Sequence, residues 1–180
     1  MVAGRELFAK RGYEHVAAEQ IVAAAGVSRG ALYHHYRDKR GLFRAVVEDL
    51  ETEVTAKLAA TLDADPDIRS AMAAAVRGYL DICQRPDVGQ ILLIDAPGIL
   101  GWQTWRDIET EHGLGLITGL LDSIAHHQPS QIAVPVLAQL ILSAVMEGAL
   151  VVAHANDPTA MREQVEAALL TLVSGLLPSR

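Results

Sequence analysis

The chain contains little cysteine and few aromatic residues. Cys83 is the only cysteine, so no disulfide can form within the chain, and a reducing cytoplasm is the predicted location. Aromatic residues make up 4% and hydrophobic residues 51%, with abundant alanine and leucine, which favours helix bundles over sheets. There is no CxxC pair, no glycine-rich phosphate loop and no secretion signal. We therefore expect a cytoplasmic, all-α protein.

Basic charge is scarce overall but is concentrated at one end. The net charge is −7. Residues 1–44 carry eight basic and four acidic side chains, whereas the remaining residues carry seven basic and eighteen acidic ones. This asymmetry indicates a small phosphate-binding head on an acidic body. The alternative is an ordinary uneven surface.

The residues around Gly26 have the pattern of a helix-turn-helix. Gly26 suits the strained turn that follows a short helix, because a residue with a Cβ resists that conformation. Ser28 is placed to cap the next helix, predicted over residues 28–35. Leu32 and Tyr36 are four residues apart and are expected to face inward together.

The opposite face of this short helix carries groups suited to the major groove of DNA. Its outward positions are Arg29, Gly30, Ala31, Tyr33 and His34. They offer a guanidinium, a closely approaching backbone, a methyl group and hydrogen-bonding rings. Asp38 is predicted to cap the following helix. Lys39 in its first turn opposes the helix dipole, so we expect an external anion to bind there.

A longer motif contains this stretch. It consists of Leu7-Phe8-(x)3-Gly12-Tyr13, then Ile21-(x)2-Ala24-Ala25-Gly26-Val27-Ser28-Arg29-Gly30-Ala31-Leu32-Tyr33-His34-His35-Tyr36, then Lys39-(x)2-Leu42-Phe43. Over residues 5–47 the pattern resembles the TetR/AcrR family of one-component transcriptional regulators. Beyond that range only the helical pattern continues.

The resemblance implies a three-helix DNA-binding head, an all-helical ligand-binding body and a homodimer. We assign residues 1–44 to the helix-turn-helix domain and residues 45–180 to the effector-binding and dimerisation domain. The family pattern also implies that Ser28, Tyr33 and Lys39 hold phosphates. By the same resemblance, the residues that approach bases are Arg29, Gly30, Ala31 and His34.

Apolar periodicity predicts helices through the rest of the chain. A long helix is expected from Lys39 to Thr61. Asp65 and Pro66 read as the cap and first position of the next helix. A shorter helix is expected to end before Ala96-Pro97-Gly98, and another to cover residues 113–127.

Two tryptophans mark a candidate effector pocket. Trp102 and Trp105 are predicted to share one helix face with Ile108, as core packing or as pocket walls. The candidate ligand-binding residues are Met72, Tyr79, Trp102, Trp105 and Met146. They favour a small hydrophobic or aromatic effector. Asp95 and Glu147, if inward, would instead suit a cationic one.

Residues 131–155 form the most apolar segment, and Asp157 starts a second apolar helix. The length suits a membrane span, but Glu147 is costly in lipid, so no membrane association is expected. A helix that is apolar on most sides is more simply covered by its own subunit and by a partner. We therefore predict a two-fold homodimer interface. Its predicted residues are Ser143, Gly148, Leu169, Leu172, Val173 and Leu176.

An enzyme requires converging acid, base or nucleophilic groups. Glu109, Glu111 and His112 lie close in sequence but read as a solvated helix end. His34 and His35 point about 100° apart on a helix, so they do not easily share a metal ion. We predict no catalytic residue, no cofactor and no metal site.

The predicted function is that of a ligand-responsive transcriptional regulator that binds a palindromic DNA operator as a homodimer. The family resemblance implies that it is a repressor. The alternative is a helical ligand-binding or scaffold protein that has lost specific DNA binding. Val16 and Ala17 motivate this alternative, because they stand where family members usually carry hydroxyl residues. The family's basic arm before the first helix is also missing from the sequence.

Overall fold

The computed structural model describes residues 1–125 and 133–175, and for residues 123–125 it describes the backbone only. Of the described residues 85% are helical and none lies in a β-strand, which confirms the predicted all-α class. The helices are α1 (Val2–Arg11), α2 (Ala18–Ala25), α3 (Arg29–Tyr36), α4 (Lys39–Asp63), α5 (Ile68–Cys83), α6 (Pro86–Val88), a π-helix (Gly89–Asp95), α7 (Ala96–Leu100), α8 (Trp102–Ala125), α9 (Val134–Ala153) and α10 (Pro158–Ser174).

The chain forms two compact units. The first comprises Met1–Thr52 and Cys83–Ile108, and the second comprises Glu53–Ile82 and the described residues from 109 onward. Residues 83–108, which the sequence assigns to the body, thus lie in the same compact unit as the three head helices. The helix α4 contributes residues to both units.

Aromatic rings form part of the core of the first unit. Phe8 of α1 and Phe43 of α4 are fully buried, with ring centroids 5.2 Å apart in an edge-to-face arrangement. The ring of Tyr13 lies 4.9 Å from that of Phe43, also edge to face. Such pairs stabilise a core beyond their buried area. The cluster therefore fixes α1 against the first turns of α4.

Polar contacts join α6 to α1, and the π-helix to the segment that follows α1, within the first unit. Arg5 Nε donates to Asp87 Oδ2 at 3.1 Å, and the backbone N–H of Tyr13 donates to Asp95 Oδ2 at 2.8 Å. Burial by itself raises the pKa of Asp87, but hydrogen bonds from Arg85 and Arg5 outweigh it and hold that pKa below its ordinary value. The carboxylate therefore stays charged at neutral pH.

The second unit has an apolar cluster between α5 and α10. Its buried members are Met72, Val76, Leu80, Leu169 and Val173. Gly148 of α9 lies so close to α10 that an added Cβ would stand 2.8 Å from Val165 Cγ1. Arg162 of α10 pairs with Asp81 of α5 and, at 2.8 Å, with Glu166. The packing of α9 and α5 on α10 thus combines apolar contacts with an ion-pair network.

Asp157, which the sequence places at the start of the last helix, caps α10, whereas the predicted cap Asp65 does not cap a helix. Asp157 Oδ1 accepts a backbone N–H of α10 at 3.1 Å. The prediction for Asp65 is wrong, because α5 begins at Ile68 and Asp67 is its cap, accepting a backbone N–H at 3.2 Å. Asp65 Oδ1 instead accepts the N–H of Asp67 at 2.9 Å, within the turn that contains Pro66.

One predicted helix end is confirmed and one predicted helix start is wrong. The π-helix ends at Asp95, before Ala96-Pro97-Gly98, and α7 follows directly, because Pro97 lies in its first turn, where the N–H it lacks has no partner within the helix. The helix α8 runs from Trp102 to Ala125 without a break at Gly113. An added Cβ at Gly113 would lie 3.0 Å from Leu142 Cδ1, so this glycine allows the close approach of α9.

Within the described ranges, α9 is the one helix long and apolar enough to cross a membrane. Core helices of soluble proteins meet the same criterion. The buried residues of α9 are Ala138, Leu142, Met146, Gly148, Ala149 and Val152. On another face Val136, Leu140 and Val151 are exposed. The helix therefore has one face in the core of the second unit and one uncovered apolar face.

Candidate nucleic-acid interface

The turn between α2 and α3 has the predicted geometry. Gly26 adopts the left-handed conformation with φ 65° and ψ 28°, which a residue with a Cβ adopts at a cost. Ser28 Oγ accepts the backbone N–H of Ala31 at 3.2 Å and caps α3. Asp38 Oδ1 accepts the backbone N–H of Gly41 at 2.7 Å and caps α4. These local contacts confirm the predicted order of turn, cap, helix and cap.

The helix α3 has one face in the core and one face at the surface. Leu32 is 5% exposed, and Tyr36 is half-buried. The outward positions predicted to approach or hold DNA are exposed (Ser28, Arg29, Gly30, His34) or half-buried (Ala31, Tyr33). The surface of α3 is therefore accessible to a duplex in the isolated subunit.

The side chain of Arg29 is held by two neighbours. Its Nη1 lies 2.9 Å from Glu19 Oε1, and its Nη2 donates to the Tyr33 hydroxyl at 3.3 Å. The guanidinium carbon also lies 5.3 Å from the centroid of the Tyr33 ring. The hydrogen bond to Tyr33 and the charge of Glu19 both raise the pKa of Arg29 above its ordinary value. The sequence analysis does not predict the ion pair between Glu19 and Arg29. Its only signal in the sequence is the position of Glu19 in the first turn of α2.

Lys39 binds inside the first unit, which the sequence does not predict. Its Nζ donates to the carbonyl oxygens of Tyr13 and Val16, each at 3.0 Å, and lies 3.8 Å from the centroid of the Tyr13 ring. These internal acceptors, rather than an external anion, explain why a lysine is tolerated at this end of α4. Phosphate binding by Lys39 stays a prediction, for which its third N–H is the donor.

The start of α2 has no hydroxyl cap, as the sequence indicates. Val16 is buried, and Ala17 occupies the cap position without a side-chain oxygen. Gln20 Oε1 partly compensates by accepting the backbone N–H of Ala17 at 3.0 Å. Glu19 in the same turn places a negative charge at the positive end of α2.

The predicted ligand-binding residues lie in different compact units. Trp102 and Trp105 belong to the first unit, with ring centroids 4.9 Å apart. Trp102 is 56% exposed, so of the two readings core packing holds for Trp105 and not for Trp102. Met72 and Met146 are buried in the second unit, and Tyr79 is half-buried there. Among the described residues, Trp105 Nε1 is buried without a hydrogen-bond partner.

Half of the predicted dimer residues are buried within the subunit instead. Leu169 and Val173 belong to the apolar cluster with α5, and Gly148 faces Val165 and Leu169. These three therefore cannot present a surface to a partner, which corrects their prediction. Of the others, Leu172 is 59% exposed, Ser143 is half-buried and Leu176 lies outside the described residues.

Glu51 is a buried acid that the sequence analysis did not single out. It is 9% exposed, and burial raises the pKa of its carboxyl to about 7. The sequence contains one signal for this burial. Phe43 and Val47 precede Glu51 at intervals of four on α4, so the three residues lie in one row along the helix, and both apolar residues are buried. Glu51 occupies the next position in that row.

Two family profiles match the chain. Residues 1–46 match the profile described as "Bacterial regulatory proteins, tetR family". Residues 69–176 match the profile described as "Tetracyclin repressor-like, C-terminal domain". The first match covers α1–α3 and the start of α4, and the second covers most of the remaining helices.

Similar proteins include a solved structure and curated relatives. The structure is a TetR-family transcriptional regulator from Pectobacterium atrosepticum, 34% identical with a TM-score of 0.88, covering 99% of this chain and 92% of that one. The Transposon Tn10 TetC protein of Escherichia coli is 26% identical over 67% of this chain and 60% of its own length. The HTH-type transcriptional repressor AcnR of Corynebacterium efficiens is 35% identical over 46% and 39%, respectively. The chain thus spans 60% or less of these two curated relatives.

Proposed function

Because the chain belongs to the TetR family of bacterial transcriptional regulators, we propose that it is a repressor that binds a palindromic operator as a homodimer. In this proposal α3 enters the major groove of each half-site, and a small, mainly apolar effector releases the dimer from DNA. The two copies of α3 then lie roughly 34–36 Å apart, matching successive major-groove faces. The protein acts in the cytoplasm.

The exposed face of α3 is the observation that carries this proposal. Arg29, at its N-terminal end, is the candidate for bidentate contact with guanine N7 and O6. Gly30, Ala31 and His34 complete the face toward the bases. Ser28, Tyr33 and Lys39 are the candidates for phosphate contacts, which contribute affinity without sequence preference. Residues 1–44, with eight basic and four acidic side chains, have the charge that a phosphate backbone attracts.

Uncovered apolar residues on α9 and α10 support the homodimer. Val136, Leu140 and Val151 of α9 are 59%, 62% and 39% exposed, and Leu172 of α10 is 59% exposed. A two-fold axis would bring each of these helices against its equivalent in the partner. Burying a leucine contributes roughly 1.5–3 kcal/mol. The proposed interface therefore consists of these residues rather than the buried residues of α10.

TetR-family regulators bind small molecules as well as DNA. The Trp105 indole offers apolar area and a buried Nε1 donor that has no described acceptor. An effector with an apolar body and one acceptor atom would satisfy both. Its binding releases DNA only if it favours a different spacing of the two heads. The helix α4 follows α3 in the chain and contributes residues to both compact units. It is therefore the element suited to transmit that change.

Selection from a pool of random duplexes, followed by fluorescence anisotropy, tests the proposed function. We expect the wild type to select a palindrome containing guanine. Arg29→Ala should reduce discrimination at that guanine roughly tenfold or more. Arg44→Ala is the matched control, because Arg44 is also basic and exposed but pairs with Glu48 on α4. It should lower affinity for every duplex about equally.

Two results would contradict the proposal. The absence of salt-sensitive binding to any duplex above background would favour the scaffold alternative. If Arg29→Ala discriminates against replacement of the guanine as strongly as the wild type does, α3 does not recognise the sequence through Arg29 as proposed.

A further inference from the structure

We propose that Glu19 of α2 is a positioning residue for DNA reading: its carboxylate orients the Arg29 guanidinium toward guanine and thereby determines sequence specificity. The inference rests on the proposed function, because it assumes that α3 reads duplex DNA. It adds to the recognition surface a residue that lies outside α3 and carries a negative charge, which DNA repels.

The contact joins two adjacent helices. Glu19 lies in the first turn of α2 and Arg29 is the first residue of α3, with Glu19 Oε1 and Arg29 Nη1 2.9 Å apart. The two side chains are 61% and 65% exposed, so the pair lies at the surface that α3 presents. A single exposed ion pair contributes little to folding stability. Its effect is therefore expected on the orientation of Arg29.

The hydrogen bonds of Arg29 leave donors for a base. A guanidinium has five N–H groups in a planar fork. In the described structure the Tyr33 hydroxyl accepts one from Nη2, and the ion pair of Glu19 with Nη1 engages at most one other. At least three N–H groups remain, and a bidentate contact with guanine N7 and O6 needs two. Arg29 can thus stay paired with Glu19 while it binds guanine.

Holding Arg29 in advance favours the specific complex. A long, flexible side chain loses conformational entropy when it binds, and less is lost when the side chain is already ordered. Two neighbours restrict the guanidinium. Glu19 lies at Nη1, and Tyr33 places its hydroxyl at Nη2 and its ring beside the guanidinium carbon. The carboxylate also repels phosphates and competes with them for Arg29. Both effects raise the ratio of specific to non-specific affinity.

The test compares guanine discrimination in four proteins of full length: wild type, Glu19→Gln, Glu19→Asp and Glu14→Gln. Glu14 is the matched control, because it is an exposed head carboxylate outside the contact with Arg29. The probes are the duplex selected by the wild type, the same duplex with guanine replaced by 7-deazaguanine, and an unrelated duplex. The 7-deaza base lacks the N7 acceptor, so it isolates the Arg29 contact.

We expect the wild type to lose roughly five- to tenfold in affinity on the 7-deazaguanine duplex, as removal of one partner of a bidentate contact predicts. The affinity of Glu19→Gln should fall about twofold or less on the 7-deazaguanine duplex, because the Arg29 side chain is no longer oriented in this variant. The loss for Glu19→Asp should lie between those of the wild type and Glu19→Gln. Both Glu→Gln variants should bind the unrelated duplex more tightly, since each removes one negative charge. Glu14→Gln should keep the wild-type response to 7-deazaguanine. Thermal melting checks that all four proteins fold.

The proposal is overturned if Glu19→Gln responds to 7-deazaguanine as the wild type does. It is also overturned if Glu19→Gln changes the preference at a different base pair, since a carboxylate that reads a cytosine amino group directly would produce that result. If the wild type selects no sequence at all, the proposed function itself fails, and this inference fails with it.

Discussion

At the scale of single residues, Glu51 couples the stability of the first unit to pH. Its pKa is about 7 in the folded chain against an ordinary value of 4.5, because burial disfavours the charged form. Below pH 4.5 the carboxyl is protonated in both states. Between these values the unfolded chain ionises first, so the contribution of Glu51 to stability falls as pH rises. Above pH 7 that loss stays constant.

Glu51→Gln should remove this loss. Each unit of pKa corresponds to 1.36 kcal/mol, so the variant should be more stable than the wild type by up to about 3 kcal/mol at pH 8 and by less than about 1 kcal/mol at pH 5. Urea unfolding at the two pH values measures the difference. Glu48→Gln on the exposed side of α4 is the control and should change stability by less than about 1 kcal/mol. A less stable Glu51→Gln at pH 8 would mean that the buried group is stabilised as an anion.

Residue roles that depend on near neighbours in sequence are the ones the sequence predicts. Ser28, Asp38 and Asp157 each accept a backbone N–H three residues further on, so their capping follows from local chemistry. The acceptors of Lys39 are 26 and 23 residues earlier in the chain. No local pattern indicates such a contact.

At the scale of helices, periodicity predicts where helices exist better than where they end. The buried apolar row of α4 (Leu42, Val46, Leu50, Val54) follows from its four-residue spacing alone. Ala96-Pro97-Gly98 correctly marks the end of the π-helix but gives no sign of α7, and Gly113 misleads, because the effect of proline and glycine depends on position within the helix and on the neighbouring helix. At Gly113 the neighbour is Leu142 of α9, which is remote in sequence. Tertiary packing therefore decides what the local signal leaves open.

Gly148 tests the contact between α9 and α10. An added Cβ would lie 2.8 Å from Val165 Cγ1 and 3.2 Å from Leu169 Cδ1. Overpacking costs typically about 1–3 kcal/mol, whereas alanine in a helix interior gains about 1 kcal/mol over glycine. We expect Gly148→Ala to lower the free energy of unfolding by up to about 2 kcal/mol, as measured by urea denaturation.

Gly119→Ala is the matched control for this substitution. Gly119 is an exposed residue of α8, and an added Cβ there meets no described atom within 4 Å. The gain in helix propensity should stabilise this variant by up to about 1 kcal/mol. If both variants are stabilised, α9 and α10 do not pack as closely as the structure describes.

At the scale of the whole molecule, the sequence predicts the class of protein but not which residues cover one another. The charge asymmetry and the motif over residues 5–47 are sequence properties. The choice between Leu169, which is buried, and Leu172, which is exposed, depends on the angle at which α10 meets α5 and α9. Likewise, no pattern indicates that residues 83–108 join the compact unit of the head.

Leu140→Glu combined with Leu172→Glu should separate the proposed homodimer. Both leucines are exposed, and in a two-fold interface each substitution occurs twice and buries a charge. We expect the dimer dissociation constant to rise roughly a hundredfold or more in sedimentation equilibrium. Ile94→Glu, an exposed apolar position in the first unit, is the control and should leave the dimer intact. A double variant that stays dimeric would place the interface elsewhere.

The most direct test of DNA recognition through α3 is the ratio of two affinities of the wild-type protein. Fluorescence anisotropy at one fixed salt concentration measures its binding to the duplex it selects and to an unrelated duplex. We predict a ratio of roughly a thousandfold or more, with two protomers on each selected duplex. Equal affinity for the two duplexes would contradict the account.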